Sequence, residues 1–195
     1  MLLGIAQSIA TLLTILLFYT MDFALIRRYD RKRQATGSGR SWDFTFFIFV
    51  AVAVLVLQPI LFPFLSFRSA RVWGLVIQIL GILVILVSLA LHIWSRVHLQ
   101  QFYAERVEVQ PEHKVIDSGP YAWMRHPVIT SFFGIATGLL LMNPSALTLL
   151  ALLYTIWDFG RAARQEEELL TRTLPGYSDY ARRTPRFLPR LWSSR

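Results

Sequence analysis

Apolar residues in this chain fall in long blocks, separated by stretches rich in Arg, Lys, Gly and Pro. A helix needs about 20 apolar residues to cross a bilayer, and blocks close to that length recur. Five spans are predicted. The first runs from Leu2 to Ile26, broken only by small polar residues and by Asp22 near its end. The second runs from Trp42 to Leu65, with Pro59 and Pro63 placed to bend or end it. The third covers Val72 to Trp94, the fourth Val128 to Met142 and the fifth Ser145 to Phe159. Asn143-Pro144 leaves so little chain between the last two that they form a helical hairpin, 128–159. At about 22 Å each, these two fall short of a hydrocarbon core of about 30 Å and must borrow flanking residues or thin the bilayer. The predicted fold is all-α: a polytopic integral membrane protein of five transmembrane helices, with residues 1–94 a three-span region. Residues 95–195 form a second region of polar loop, hairpin, and C-terminal helix and tail.

Composition supports this pattern. The chain is 54% apolar or aromatic and 16% charged. Its first block lacks the basic lead and small-residue cleavage site of a leader and ends at RRYDRKR, so a retained span is expected. A formal charge of +8 would suit nucleic acid, but basic residues also gather on the cytoplasmic side of membrane proteins, and the apolar blocks favour that explanation. Eighteen of the twenty Lys and Arg fall in segments 27–41, 95–127 and 160–195, which a five-span chain places on one side; Arg68 and Arg71 fall on the other. The N-terminus is therefore expected outside, with the C-terminus and both long polar segments in the cytoplasm. Cysteine is absent, which excludes disulfides, thiolate nucleophiles and Cys-ligated metals.

The hairpin brings the segment before the fourth span and the segment after the fifth to one place, so His126 and Arg161 are expected near each other. Within GPYAWMRHP, Pro127 suits the first position of a helix. The N–H groups of Val128 and Ile129 then form a helix N-terminus that favours an anion, and Arg125 and His126 add side-chain donors. Beyond the fifth span, RAARQEEELL sets Arg161 on the face of Gln165, and Arg164 on the face of Glu167 or Glu168. That run reads equally as a solvated helix or as mixed charge facing a zwitterion. VQPEHKVIDSGPY reads as a loop, able to cover a ligand or simply to connect. Gly134 and Gly138, spaced G-x-x-x-G, allow a close helix contact but are also ordinary in membrane helices. No phosphate-binding loop or dinucleotide fingerprint is present, and no serine sits in a nucleophile elbow. His92 and His98 lack helical ligand spacing with an acid, so no metal site is expected.

The ordered set GPYAWMRHP, an apolar hairpin turning at Asn-Pro, R-x-E-E-x-x-L-type acids and PGYSDYARRTPRFLP resembles the isoprenylcysteine carboxyl methyltransferase family over about residues 95–190, and through it the phospholipid methyltransferases. The resemblance implies S-adenosylmethionine as methyl donor, with S-adenosylhomocysteine as product. It implies a prenylcysteine carboxylate as acceptor, arriving from the bilayer, and membrane lipids as surroundings; no nucleic-acid partner is implied. The cofactor-contacting positions carried over are His113, Lys114, Val115, Ile116, Tyr121, His126, Pro127, Val128, Ile129 and Glu166, with Glu167 beside it; no metal is implied. The family's substrate arginine falls on Ala162 here, so the catalytic role of orienting the acceptor carboxylate is left between Arg161 and Arg164. The alternatives are the same chemistry on another lipophilic acceptor, such as a phospholipid amine, and a non-catalytic scaffold or small transporter.

Overall fold

The structure, a computed structural model, describes residues 4–29, 42–67, 71–99 and 115–188. Among them the regular elements are helical: α1 (Ile5–Tyr29), α2 (Trp42–Leu61), α3 (Arg71–Leu99), α4 (Pro127–Met142), α5 (Ala146–Thr173) and α6 (Tyr177–Arg183). Single 3-10 turns stand at Pro63–Leu65 and Gly119–Ala122. Pro59 is carried inside α2, and Pro63 opens the 3-10 turn that follows it. Among the described residues, Ile5–Leu25 and Val72–Leu99 are long and apolar enough to cross a membrane, while Val52–Leu61 and Pro127–Met142 are shorter apolar helices.

α3 and α5 both extend well past the spans predicted for them. α3 runs five residues past Trp94, carrying Arg96 and His98 in its last turns. α5 does not stop at the last apolar residue but continues through the charge run to Thr173, where Pro175-Gly176 ends it. Hydropathy marks where a bilayer could end; helix termination depends on backbone breakers, and no proline occurs between Phe159 and Leu174, the single Gly160 being carried within the helix.

The bundle is built inside out. α3 exposes Val72, Trp73, Leu75, Val76, Leu83, Leu86 and Val87, while its buried face carries Gly81, Gln78, Ser88, His92, Ser95 and Arg96 beside Ile85 and Leu89. Small and polar residues at helix contacts, with large apolar ones outside, are what a lipid surround selects. α4 lies on this face. A Cβ on Gly138 would come within 2.5 Å of Ile85 Cγ1 and 2.7 Å of the Gly81 carbonyl oxygen, and one on Gly134 would strike the Ser88 hydroxyl at 2.0 Å. The G-x-x-x-G spacing is thus the seam between α4 and α3. Ile85, Leu89 and Met142 form the adjoining core, with Phe18, Met21, Ile135 and Leu139 packed round it.

The α4–α5 turn is tied to the segments around it by hydrogen bonds. Ser145 caps α5 and exchanges hydrogen bonds with Thr148 as a capping box. The Gln7 amide donates to Asn143 Oδ1 (2.8 Å), the Gln78 amide to the Met142 carbonyl (3.1 Å), and the Phe67 N–H to the Pro144 carbonyl (2.7 Å). Side chains from α1 and α3, and a backbone N–H from the α2–α3 connection, thereby satisfy polar groups where α4 ends. With the turn fixed, the opposite ends of α4 and α5 are brought together.

Candidate functional site

Pro127 opens α4, and His126 is its N-cap residue. The His126 ring makes no capping bond because it is turned toward α5: Nε2 stands 2.9 Å from Glu167 Oε1, and Nδ1 3.5 Å from Glu166 Oε2. Glu167 also receives Arg125 Nε (2.9 Å) and Arg186 Nε (3.1 Å to each oxygen). Its side chain is only 12% exposed, whereas that of Glu166, one residue earlier, is 44% exposed. Two neighbouring acids therefore differ in kind: Glu167 is enclosed by three cationic groups, and Glu166 keeps an open edge.

Electrostatics follow this placement. Burial works against ionised Glu167, but hydrogen bonds from His126 and Arg186, with the charges of His126 and Arg125, prevail and bring its pKa down to about 2. Burial likewise opposes charge on His126, yet Glu166 and Glu167 outweigh it, and its pKa rises above the ordinary 6.5.

The C-terminal segment closes one side. The Arg125 N–H donates to the Pro185 carbonyl (2.9 Å), the His126 N–H to the Arg186 carbonyl (3.0 Å), and the Thr130 hydroxyl to the Phe187 carbonyl (2.8 Å). The Arg125 guanidinium donates further to the Ala181 and Thr184 carbonyls. Phe187 lays its ring near those of His126 and Phe133. The Tyr180 hydroxyl donates to the Tyr121 carbonyl (2.7 Å), over a core of Leu170, Leu174, Tyr177 and Tyr180 against which Val115 packs. Gly119 takes φ +57°, and the His98 ring fills the space where a side chain would stand. The first turn of α4 lies within this frame, and its Val128 and Ile129 N–H groups have no carbonyl inside the helix to bond.

The structure gathers most of the sequence-predicted positions at this one end. His126, Pro127, Val128 and Ile129 are buried at the start of α4, Tyr121 is buried within the 3-10 turn, and Val115 and Ile116 are half-buried on the approach to it. Glu166 and Glu167 face His126 across the hairpin. His113 and Lys114 lie outside the described residues. Arg161 and Arg164 are exposed on α5, with the Arg161 guanidinium 5.9 Å from the centre of the Trp157 ring. Sequence reasoning missed Arg186, which belongs to the quoted motif but has no local spacing to tie it to Glu167. It also missed an acid partner for His92. Asp22 of α1 supplies one, with Oδ1 3.3 Å from Nε2, because residues seventy apart in the chain share no local pattern.

This arrangement can hold a small ligand bearing both signs of charge. The α4 N-terminus favours its anionic end, and the open carboxylate of Glu166 its cationic or hydroxyl groups, while the Arg125 guanidinium is taken up by Glu167 and the Ala181 and Thr184 carbonyls.

Comparison with known proteins agrees with the resemblance read from the motifs. Residues 79–172 match the isoprenylcysteine carboxyl methyltransferase (ICMT) family. A nickel-cobalt-cadmium resistance protein, NccN, of Alcaligenes xylosoxydans xylosoxydans is 38% identical over 80 residues, 40% of this chain and 37% of that one. The protein-S-isoprenylcysteine O-methyltransferase of Mus musculus is 38% identical over 86 residues, 42% of this chain and 30% of that one. The solved structure of the eukaryotic intramembrane Ras methyltransferase ICMT shares the fold, with a TM-score of 0.63 at 21% identity over 90% of this chain and 63% of that one. The matched region is thus well under half the length of these two curated relatives.

Proposed function

We propose that this chain is an integral-membrane methyltransferase that moves a methyl group from S-adenosylmethionine to the C-terminal carboxylate of a prenylated cysteine. The observation that carries the reading is the meeting of Glu166 and Glu167 with His126 at the N-terminus of α4, inside the segment that matches the family. Five spans place the N-terminus outside and this end of the hairpin at the cytoplasmic edge, where a water-borne cofactor meets a lipid-borne acceptor. Residues 1–94 are then a three-span membrane region and 95–195 the catalytic region.

The residues present suit the cofactor's functional groups. The Val128 and Ile129 N–H groups, with Pro127 fixing the helix start, offer donors for its carboxylate. Glu166 offers an acceptor for its ammonium or ribose hydroxyls, while Val115, Ile116 and Tyr121 border the same place; the resemblance adds His113 and Lys114, which precede them in the sequence. Glu167 acts one step back, holding His126 and Arg125. Bound there, the cofactor supplies a methyl group carried on a sulfonium. The protein's part is to align the acceptor oxygen and keep water out. Arg161 or Arg164 orients the acceptor carboxylate, which reacts faster once stripped of water near the bilayer.

A second reading keeps the chemistry and changes the acceptor to another lipophilic molecule, such as a phospholipid amine. It is favoured by Ala162, which stands where the family's substrate arginine is expected. Calorimetry of the detergent-purified protein with S-adenosylhomocysteine tests the cofactor. Labelled methyl transfer to farnesylated cysteine and to phosphatidylethanolamine then separates the two acceptors. Absence of binding removes both readings in favour of a non-catalytic membrane protein.

A further inference from the structure

α3 places His92 and Arg96 one turn apart on its buried face, each only 1% exposed. Ionisable groups at the depth of a membrane helix are costly and persist where they have a task. Neither residue belongs to the site described above, yet His92 reaches its edge. His92 Nδ1 is 3.1 Å from the Ser131 hydroxyl, and that hydroxyl donates to the Val128 carbonyl at 2.5 Å. On its other side His92 Nε2 is 3.3 Å from Asp22 Oδ1, and Arg96 Nε is 3.8 Å from the same oxygen. Phe18 and Phe132 stand against the imidazole with ring centres 5.3 Å away.

Counting protons orders this chain of contacts. Ser131 has a single hydroxyl proton, and it points at the Val128 carbonyl. Its oxygen is left to accept, so the proton between the two side chains belongs to His92 Nδ1. The bonding therefore runs from α1 through α3 to the first turn of α4. That turn carries the Val128 and Ile129 N–H groups. Glu167 fixes its N-cap residue from the α5 side, and the His92 relay fixes it from the α1–α3 side.

We propose that His92 is a positioning residue for the site at the α4 mouth: held by Asp22, it sets the first turn of α4 through Ser131 and so aims the backbone donors that receive the cofactor's carboxylate. This rests on the cofactor reading above and adds residues to it that touch no ligand themselves. The relay explains why α3 keeps a histidine within an apolar block, and why its partners come from both neighbouring helices.

The test compares Ser131→Ala, His92→Phe, their double variant and His92→Asn. Each is purified in detergent and measured by calorimetry with S-adenosylhomocysteine and by methyl transfer to farnesylated cysteine. Loss of aim at a binding turn weakens affinity by about tenfold. Ser131→Ala and His92→Phe are each expected to show this for S-adenosylhomocysteine, with the KM of the acceptor unchanged. The double variant binds no more weakly than the weaker single, because both cut one relay. His92→Asn, whose amide donates to Ser131 from near the place of Nδ1, recovers most of the affinity. Wild-type affinity in Ser131→Ala overturns the proposal, and that variant decides it if His92→Phe does not fold. Multiplying effects, or equal losses toward cofactor and acceptor, overturn it too. If the unaltered protein fails to bind S-adenosylhomocysteine, the cofactor reading itself falls, which is distinguishable from failure of the relay alone.

Discussion

His126 Nε2 and Glu167 Oε1 meet at 2.9 Å, joining the start of one hairpin helix to the polar extension of the other across 41 residues of sequence. The contact separates the roles of two adjacent acids. Removing the charge of Glu167 leaves His126, Arg125 and Arg186 facing each other around a buried amide. Breaking one side of an enclosed ion-pair cluster costs about 3 kcal/mol. Glu167→Gln is therefore expected to lower the melting temperature clearly. Glu166→Gln, at a half-exposed position, should barely move it and instead weaken S-adenosylhomocysteine binding by about tenfold. Thermal unfolding and calorimetry on the two variants check this, and equal behaviour of the two refutes the division.

The same pair predicts a stability profile against pH. Glu167 has a folded pKa of about 2, below its ordinary 4.5, so its contribution is complete above 4.5 and is lost as pH falls toward 2. His126 is shifted the other way. Its contribution is complete below 6.5 and is lost as pH rises through its higher folded value. Both are present together between about pH 4.5 and 6.5, and stability from this cluster declines on the alkaline side. Melting temperatures from pH 5 to 9 should fall for the unaltered protein, and His126→Gln should flatten that part of the curve.

Much of this was legible in the chain because membrane helices announce themselves by apolar blocks and breakers. Pro127, Asn143-Pro144 and Ser145 marked the ends of α4 and the start of α5. Their placement alone implied that the polar segments on either side converge. What was not legible depends on contacts between distant elements. Gly134 and Gly138 announced a close approach but not that α3 would supply it through Gly81 and Ser88. The polar positions Ser88, His92, Ser95 and Arg96 repeat at helical spacing on α3, a signal that averaged hydropathy conceals. Arg186 and Asp22 carried no signal at all, since an ion pair formed by tertiary folding leaves no mark on local spacing.

The α3–α4 seam gives a packing prediction with an internal control. A methyl group on Gly138 would fall 2.7 Å from the Gly81 carbonyl oxygen, and backbone cannot swing aside as a side-chain tip can. Gly138→Ala should cost about 1–3 kcal/mol through overpacking. Gly160, on α5, has nothing within 4 Å of the same added atom, so Gly160→Ala should be neutral or slightly stabilising through helix propensity. Unfolding of the two variants in the same detergent compares them directly. Equal stability would mean that the helices do not approach so closely.

The last prediction concerns the acceptor. Arg161 and Arg164 are exposed on α5 beyond its apolar stretch, where a lipid-borne carboxylate would arrive, and Trp157 lies beneath the Arg161 guanidinium. A guanidinium that pairs with the acceptor in the reacting complex acts on methyl transfer without holding the cofactor. Replacing the responsible arginine by Ala should lower kcat/KM for farnesylated cysteine by about a hundredfold and leave S-adenosylhomocysteine affinity unchanged. Replacing it by Lys should recover only part, since a single ammonium cannot match a carboxylate through two parallel bonds. Steady-state assays on Arg161→Ala, Arg164→Ala and the corresponding Lys variants identify which arginine it is. Full turnover in both Ala variants would remove the role from this face of α5.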